Sequence, residues 1–150
     1  MTDSALAALQ AKIRQGIPLS DAMGYRITAL DRTQIVVEAP LAPNVNVHGT
    51  AFAGSIYALG TLSAWALGNH LVNEAGMDAA VVIAEAAIRY RAPIHGAIHC
   101  RCSVSPDRAE VFLKALRTAG RARLELEVAI GEGPAALLHS TLHVSLGKNG

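Results

Sequence analysis

The longest feature of the hydrophobic pattern is a segment between Glu38 and Glu74 that contains no Asp, Glu, Lys or Arg. Charged residues are almost never fully buried without partners, so a run free of them predicts an interior segment. Residues 44–55 carry several polar side chains and two glycines, and the residues that follow are almost all apolar or small. We therefore predict a loop that runs into a long buried helix.

A membrane span is the alternative interpretation of such a stretch, because about 20 apolar residues can cross a bilayer. Residues 51–68 include six Gly, Ser and Thr residues, and no cluster of Lys or Arg flanks them. Both features argue against insertion. A helix of small residues that is covered by a β-sheet fits the pattern better.

Periodic patterns predict further elements on both sides of this helix. Before it, a short helix stops at Pro18 and two strands cover residues 25–30 and 34–38. After it, a strand covers residues 79–92. One face of this strand carries Val82, Ala84, Ala86, Ile88 and Tyr90, and the other carries Glu85, Arg89 and Arg91.

The C-terminal third continues with a strand over residues 98–104 and a helix that starts at Pro106 and stops at Gly120. Alternation then predicts a hairpin of two strands, residues 121–130 and 136–146. Mostly antiparallel strands around one long apolar helix predict a single α+β domain over residues 1–150, with a curved sheet that covers the helix.

Composition limits the partners and the compartment. The formal net charge is +1 without a basic block, which argues against nucleic acid or anionic membrane as partner. The N-terminus lacks a basic segment followed by an apolar one, so we predict no secretory signal and a cytoplasmic location. Cys100 and Cys102, two apart on one strand face, are expected to be buried free thiols. We predict no cofactor and no metal site, since the His95/His99 and His139/His143 pairs are too widely spaced along their strands for one ion.

The loop before the helix carries the best candidate chemistry. A helix that starts near Gly49 or Thr50 has unpaired backbone N–H groups with a partial positive charge, and Gly49 lets a carbonyl approach closely. Such donors could polarise a carbonyl group and hold an oxyanion. Asn46 and His48 could orient a water or the carbonyl, or could only bond within the loop. Thr50 and Ser55 are candidate nucleophiles or, with more support, helix caps.

At this point the chain resembles, over essentially its whole length, the hotdog-fold superfamily of thioesterases and dehydratases. It is most similar to the thioesterase family named after the C-terminal domain of YiiD. The resemblance is carried by residues 44–59, Trp65, residues 88–93 and residues 120–124. It implies a sheet wrapped around the central helix and a homodimer, which could pair further into a dimer of dimers. It also implies acyl-thioester sites that lie between the protomers.

Many hotdog thioesterases place an Asp or Glu on the central helix about two turns after the His-Gly pair, and residues 55–59 contain none. Glu85 is the nearest substitute: it could be a site carboxylate that reaches across the dimer, or a salt-bridge partner of Arg89. Arg89 and Arg91 could meet the phosphates of coenzyme A or an acidic carrier protein, or could be solvated surface residues. Phe52, Ser55 and Tyr57 complete the predicted substrate contacts.

Three hypotheses follow. The first is an acyl-thioester hydrolase in which water attacks a carbonyl held at the helix start. The second is a protein that binds acyl-coenzyme A or acyl-carrier protein without catalysis, which the missing helix carboxylate favours. The third is a hotdog dehydratase or hydratase, which would need a site histidine paired with an acid.

Overall fold

The computed structural model describes residues 3–147. Its elements, in chain order, are the helices α1 (Asp3–Gly16) and α2 (Pro18–Met23), the strands β1 (Arg26–Leu30) and β2 (Gln34–Ala39), a 3₁₀ turn (Ala42–Asn44), helix α3 (Ala53–Glu74), strands β3 (Ala79–Tyr90) and β4 (Ile98–Ser103), helix α4 (Pro106–Ala119), and strands β5 (Arg121–Ile130) and β6 (Ala136–Leu146). The predicted helices and strands are all present. Two elements were not predicted, the 3₁₀ turn and α2. Pro18, where the first helix was predicted to stop, starts α2 because proline suits the first turn of a helix.

The six strands form one antiparallel sheet in the order β1-β2-β4-β5-β6-β3. The sheet wraps around α3 and contacts it through five of its strands. Alternating residues of β4, β5 and β6 are buried against the helix, as predicted, and both cysteines lie free in this core. This architecture, an α+β hotdog fold, confirms the predicted fold class.

Small residues in α3 let the helix approach the sheet. A Cβ atom on Gly68 would lie 2.4 Å from Cδ1 of Leu142 on β6, so the backbone of α3 packs directly on that side chain. The Trp65 indole N–H donates to the Val81 carbonyl of β3 at 2.8 Å. Among residues 3–147, no helix is long and apolar enough to cross a membrane.

Strand β3 lies at one end of the sheet and contains a bulge between Ile83 and Glu85. A bulge adds one residue and so exchanges the faces of the residues on its two sides. Val82 pairs with the outward-facing His143, and its side chain is exposed, so the predicted inner position of Val82 is wrong. Ile88 after the bulge faces α3 as predicted, opposite the buried Leu138.

Strand β1 lies at the other end of the sheet, and a side chain of α1 covers part of its outer edge. The Gln10 amide donates to the Tyr25 carbonyl at 3.1 Å and accepts from the Ile27 N–H at 2.7 Å. One side chain therefore makes both bonds that a neighbouring peptide group would make.

Candidate active site

Asn46 closes the loop that precedes α3. Its Oδ1 accepts from the backbone N–H groups of His48 and Thr50 at 2.8 and 3.1 Å. Its Nδ2 donates to Thr50 Oγ1 at 2.9 Å and to the Ala51 carbonyl at 3.2 Å. Both ends of the amide are therefore occupied within the loop, which is the loop-closing arrangement rather than one aimed at a substrate.

Gly49 makes the turn at the tip of this loop. Its φ of 82° lies in the left-handed region that glycine adopts without steric cost. Its backbone N–H donates to the Asn46 carbonyl at 3.1 Å. The preceding residue, His48, is exposed at the tip, so its imidazole is open to solvent and to a ligand.

The two ends of the loop are fixed to the rest of the fold. The buried Asn44 amide donates to the Met23 and Pro40 carbonyls at 2.8 Å each, and the Asn44 carbonyl accepts from the Phe52 N–H at 2.7 Å. The Ala51 N–H donates to the Ile94 carbonyl at 2.9 Å. The loop is thus held between α2, the end of β2 and the β3–β4 connection.

Helix α3 begins at Ala53, so the prediction that it begins near Gly49 or Thr50 is wrong. The N–H groups of Gly49 and Thr50 bond within the loop, and the bridge between Val45 and Ala51 keeps the chain extended up to the helix. Phe52 is the N-cap residue and makes no side-chain cap bond, so neither Thr50 nor Ser55 caps the helix.

The first backbone N–H groups of α3 are the free donors of this site. Ile56 is the first residue that bonds back, to the Phe52 carbonyl at 3.0 Å. Within the described chain, the structure gives no hydrogen bond to the N–H groups of Ala53, Gly54 and Ser55. These three donors carry the partial positive charge of the helix N-terminus, so an oxyanion would be stabilised there.

Aromatic side chains surround this first turn. A Cβ atom on Gly54 would lie 2.4 Å from the Phe52 ring, so the ring rests directly on the Gly54 backbone. Tyr90, at the end of β3, donates its hydroxyl to the Ala53 carbonyl at 2.8 Å. Burial, and then the neighbouring Tyr57, raise the pKa of Tyr90 above its ordinary value. Phe52, Tyr57 and Tyr90 all remain partly exposed and form an apolar rim around the free donors.

A family model described as "Putative thioesterase (yiiD_Cterm)" matches residues 6–141. The chain belongs to this family of YiiD C-terminal-domain thioesterases. A crystal structure titled as a putative thioesterase from Shewanella oneidensis is 30% identical, with a TM-score of 0.82 over 97% of this chain and all of the other. A Chlorobaculum tepidum protein titled as having unknown function is 25% identical, with a TM-score of 0.92 over 97% and 96% of the two chains. A Pseudomonas aeruginosa protein titled as a probable thioesterase, 20% identical, has the same fold with a TM-score of 0.81 over 94% and 95% of the chains. Family membership supports thioester hydrolysis in general terms.

Two of the predicted residues of this family member lie on the face of the sheet away from α3. Glu85 pairs with Thr141 of β6 and lines an open groove of about 550 Å³ that also contains Arg108, Glu125 and His139. Arg89 projects from the same face, four residues further along β3. The structure therefore does not bring Glu85 to the loop of its own protomer. Among the ion pairs of residues 3–147, none joins Glu85 to Arg89, so the predicted salt bridge is absent as well.

Arg91 follows the last residue of β3 and is exposed, with its backbone N–H bonded to the Ala135 carbonyl at 2.7 Å. Arg89 and Arg91 thus flank Tyr90, whose side chain reaches the first turn of α3. Tyr90 and Asn44 were not among the predicted site residues. Alternation placed Tyr90 on the inner face of its strand, but only the folded chain shows which carbonyl its hydroxyl meets.

Proposed function

We propose that this protein hydrolyses acyl thioesters of coenzyme A or of an acyl-carrier protein. The observation that carries the proposal is the set of three free N–H donors of Ala53, Gly54 and Ser55. They open a 22-residue helix whose only charged residue is its last, Glu74. In enzymes where it was measured, one such donor contributed about 3 kcal/mol to transition-state stabilisation. Two donors aimed at one oxygen would supply much of the barrier reduction of a slow hydrolase.

The proposed reaction has two steps. The thioester carbonyl oxygen accepts from the free N–H groups, water attacks the carbonyl carbon, and a base takes one proton from the water. The tetrahedral intermediate then collapses with cleavage of the C–S bond, and the proton passes to the leaving sulfur. The products are a carboxylic acid and a free thiol.

His48 is the proposed base, because its imidazole is the one titratable side chain in the charge-free segment before the helix. The loop that carries it is held by Asn46, which acts as a positioning residue with no direct contact to substrate. Glu85 is a weaker candidate than the sequence suggested. Its side chain faces away from α3, and a second copy paired in a continuous sheet would keep the same face outward.

The proposed active unit is a homodimer that pairs through the free edge of β3. That strand exposes Val82 and Tyr90, and the adjacent loop exposes Val47, which is 94% accessible in the protomer. Apolar side chains at an unpaired strand edge favour strand addition. The site of each protomer would then be completed by the other, with Phe52 and Tyr57 at the acyl group and Arg89 and Arg91 near the phosphates of the carrier.

The test is release of free thiol from acyl-coenzyme A substrates of short, medium and long chain length. His48→Ala should lower kcat by about 10² or more, the lower range of general-base catalysis. Glu85→Gln, a change of similar size on the other face of the sheet, should leave kcat unchanged. Turnover that survives His48→Ala and collapses in Glu85→Gln would reverse the assignment of the base.

A second candidate function is binding of the same thioesters without hydrolysis. The absence of any carboxylate from residues 39–73 favours it. The two functions are separated by the fluorescence of the single tryptophan, Trp65, on titration with a non-hydrolysable thioether analogue of acyl-coenzyme A. Saturable binding without turnover of any thioester, including acyl-carrier protein, would establish the binding protein.

A further inference from the structure

A second unpaired strand edge lies inside the sheet, on the first half of β5. Strand β6 pairs with all ten residues of β5, whereas β4 pairs only with the last three, Val128–Ile130. Helix α4 runs beside residues 121–127 where β4 would otherwise continue. The edge of β5 that faces α4 therefore lacks a strand partner over about 20 Å, at 3.3 Å per residue.

The register shows which backbone groups point to this edge. The Gly120 carbonyl accepts from Leu146, so alternate residues from Gly120 onwards, including Ala122 and Leu124, bond to β6. The backbone groups of Arg121, Arg123 and Glu125 consequently point towards α4. The Arg108 guanidinium of α4 donates to the Glu125 carbonyl. Within the described residues, the structure gives no hydrogen-bond partner to the N–H or the carbonyl of Arg123.

A groove of about 360 Å³ lies between α4 and this edge. Its walls are mainly apolar and are formed by Val111, Phe112, Ala115, Ala122 and Leu124. Val111 is 70% exposed although it is a large apolar side chain on a helix whose other face is buried. The volume falls at the lower end of the range of ligand sites, about 300–1,000 Å³, and would hold only a short segment.

The charges at this groove are mostly positive. Arg108 and Arg123 line the rim together with one acid, Asp107, and Arg121 and Glu125 lie on β5 at the same edge. None of these three arginines takes part in a salt bridge of the described chain. A ligand that fits must supply backbone donors and acceptors to β5, an apolar side chain to the groove and negative charge to the rim.

We infer that this groove binds an extended, acidic peptide segment of three or four residues, which pairs with Arg123 as an added strand. Addition of a strand at an exposed edge beside a helix is an established mode of peptide recognition, in which main-chain bonds give affinity and side-chain pockets give specificity. The partner class is a protein with an exposed acidic strand or tail. This site is separate from the loop before α3 and does not depend on the proposed hydrolysis.

The test is ¹⁵N NMR titration of the full chain with an acetylated Glu-Leu-Glu-Val peptide. The amide resonances of Arg121, Arg123 and Glu125 should shift saturably. Two control peptides isolate the interactions: one N-methylated at the leucine, which cannot donate to the Arg123 carbonyl, and one with Lys in place of Glu. Each should bind at least about tenfold more weakly.

Two variants test the groove. Ala115→Trp fills it and should abolish the shifts. Val111→Ser should weaken binding about tenfold, the loss expected for one apolar contact, whereas Leu19→Ser, a comparable change at an exposed residue of α2, should not. Far-ultraviolet circular dichroism confirms that each variant folds. The inference is overturned if no β5 amide shifts or if the N-methylated peptide binds as well. It is also overturned if the same shifts arise from protein concentration alone, which would assign the edge to a second copy of the chain.

Discussion

Gly54→Ala tests whether the Phe52 ring lies on the first turn of α3. The new methyl group would lie 2.4 Å from one ring carbon and 2.8 Å from another, distances that real Cβ atoms do not show. The ring must therefore swing away from the helix. Phe52 is 53% exposed, so the burial that it would lose is about half of the full burial of a Phe side chain. Since full burial of a Phe side chain contributes about 1.5–3 kcal/mol, the loss is roughly 1 kcal/mol.

The same substitution also has a stabilising effect. Alanine is more favourable than glycine in a helix by up to about 1 kcal/mol, so the two effects nearly cancel in the wild-type background. In a Phe52→Ala background only the gain remains. The double-mutant cycle should therefore show a coupling free energy of about 1 kcal/mol between positions 52 and 54.

The assay is urea unfolding of the four proteins of this cycle, monitored by circular dichroism. Gly16→Ala serves as the matched control, because a Cβ atom there meets nothing within 4 Å. Equal stabilisation by Gly54→Ala with and without the Phe52 ring would refute the placement of the ring. If the placement is right, Gly54→Ala also uncovers the free N–H groups of the first turn of α3 without a large change in stability. Any change in thiol release by this variant then measures the effect of the Phe52 ring on activity.

The remaining predictions concern stability and reactivity. Asn46→Ala removes four loop hydrogen bonds and should lower the free energy of unfolding by about 2–4 kcal/mol. Asn46→Asp keeps the two bonds to Oδ1 and should cost about half as much. Equal urea midpoints of the two variants would contradict this. Burial lowers the pKa of His70 below 6.5, against the opposing effects of Glu74 and Asp31. Below pH 6.5 the unfolded chain therefore binds a proton that the folded chain does not. The free energy of unfolding should fall with decreasing pH, by up to about 1.4 kcal/mol per pH unit, until the pKa of His70 in the folded protein is reached. His70→Asn should remove this slope. Burial raises the pKa of the Cys100 and Cys102 thiols to about 12, so a thiol reagent at pH 8 should label neither in the folded protein and both in urea.

The fold was largely predictable from the chain because its strands alternate cleanly. In β5 each buried residue is followed by a charged one until Ala129, so the bounds Arg121–Ile130 could be predicted to the residue. The bulge in β3 left no such signal, because Val82, Ile83 and Ala84 are all apolar and either register looks acceptable. That one added residue decided the face of Val82.

The loop before α3 was predictable from the sequence, but its geometry was not. The charge-free segment and the glycine at position 49 indicated where the chain turns into the long helix. The start of α3 was misplaced because the Asn46 side chain, rather than a helix, bonds the backbone groups of His48, Thr50 and Ala51. Local alternation placed Glu85 on the face opposite Ala86 and Ile88, and its pairing with Thr141 of β6, about 55 residues away, shows that this face points away from α3.

The Gln10 amide at the outer edge of β1 has a consequence for the protein in a crowded solution. Sheets polymerise into fibres when both of their ends offer free backbone groups to the next molecule. Here part of the β1 edge already has a surrogate partner, so a dimer that formed through β3 would be hindered from adding further strands at that end of the sheet. Loss of the Gln10 amide should leave the edge of β1 free to accept a strand of another molecule. We expect the effect of this loss to appear first as aggregation rather than as lost activity.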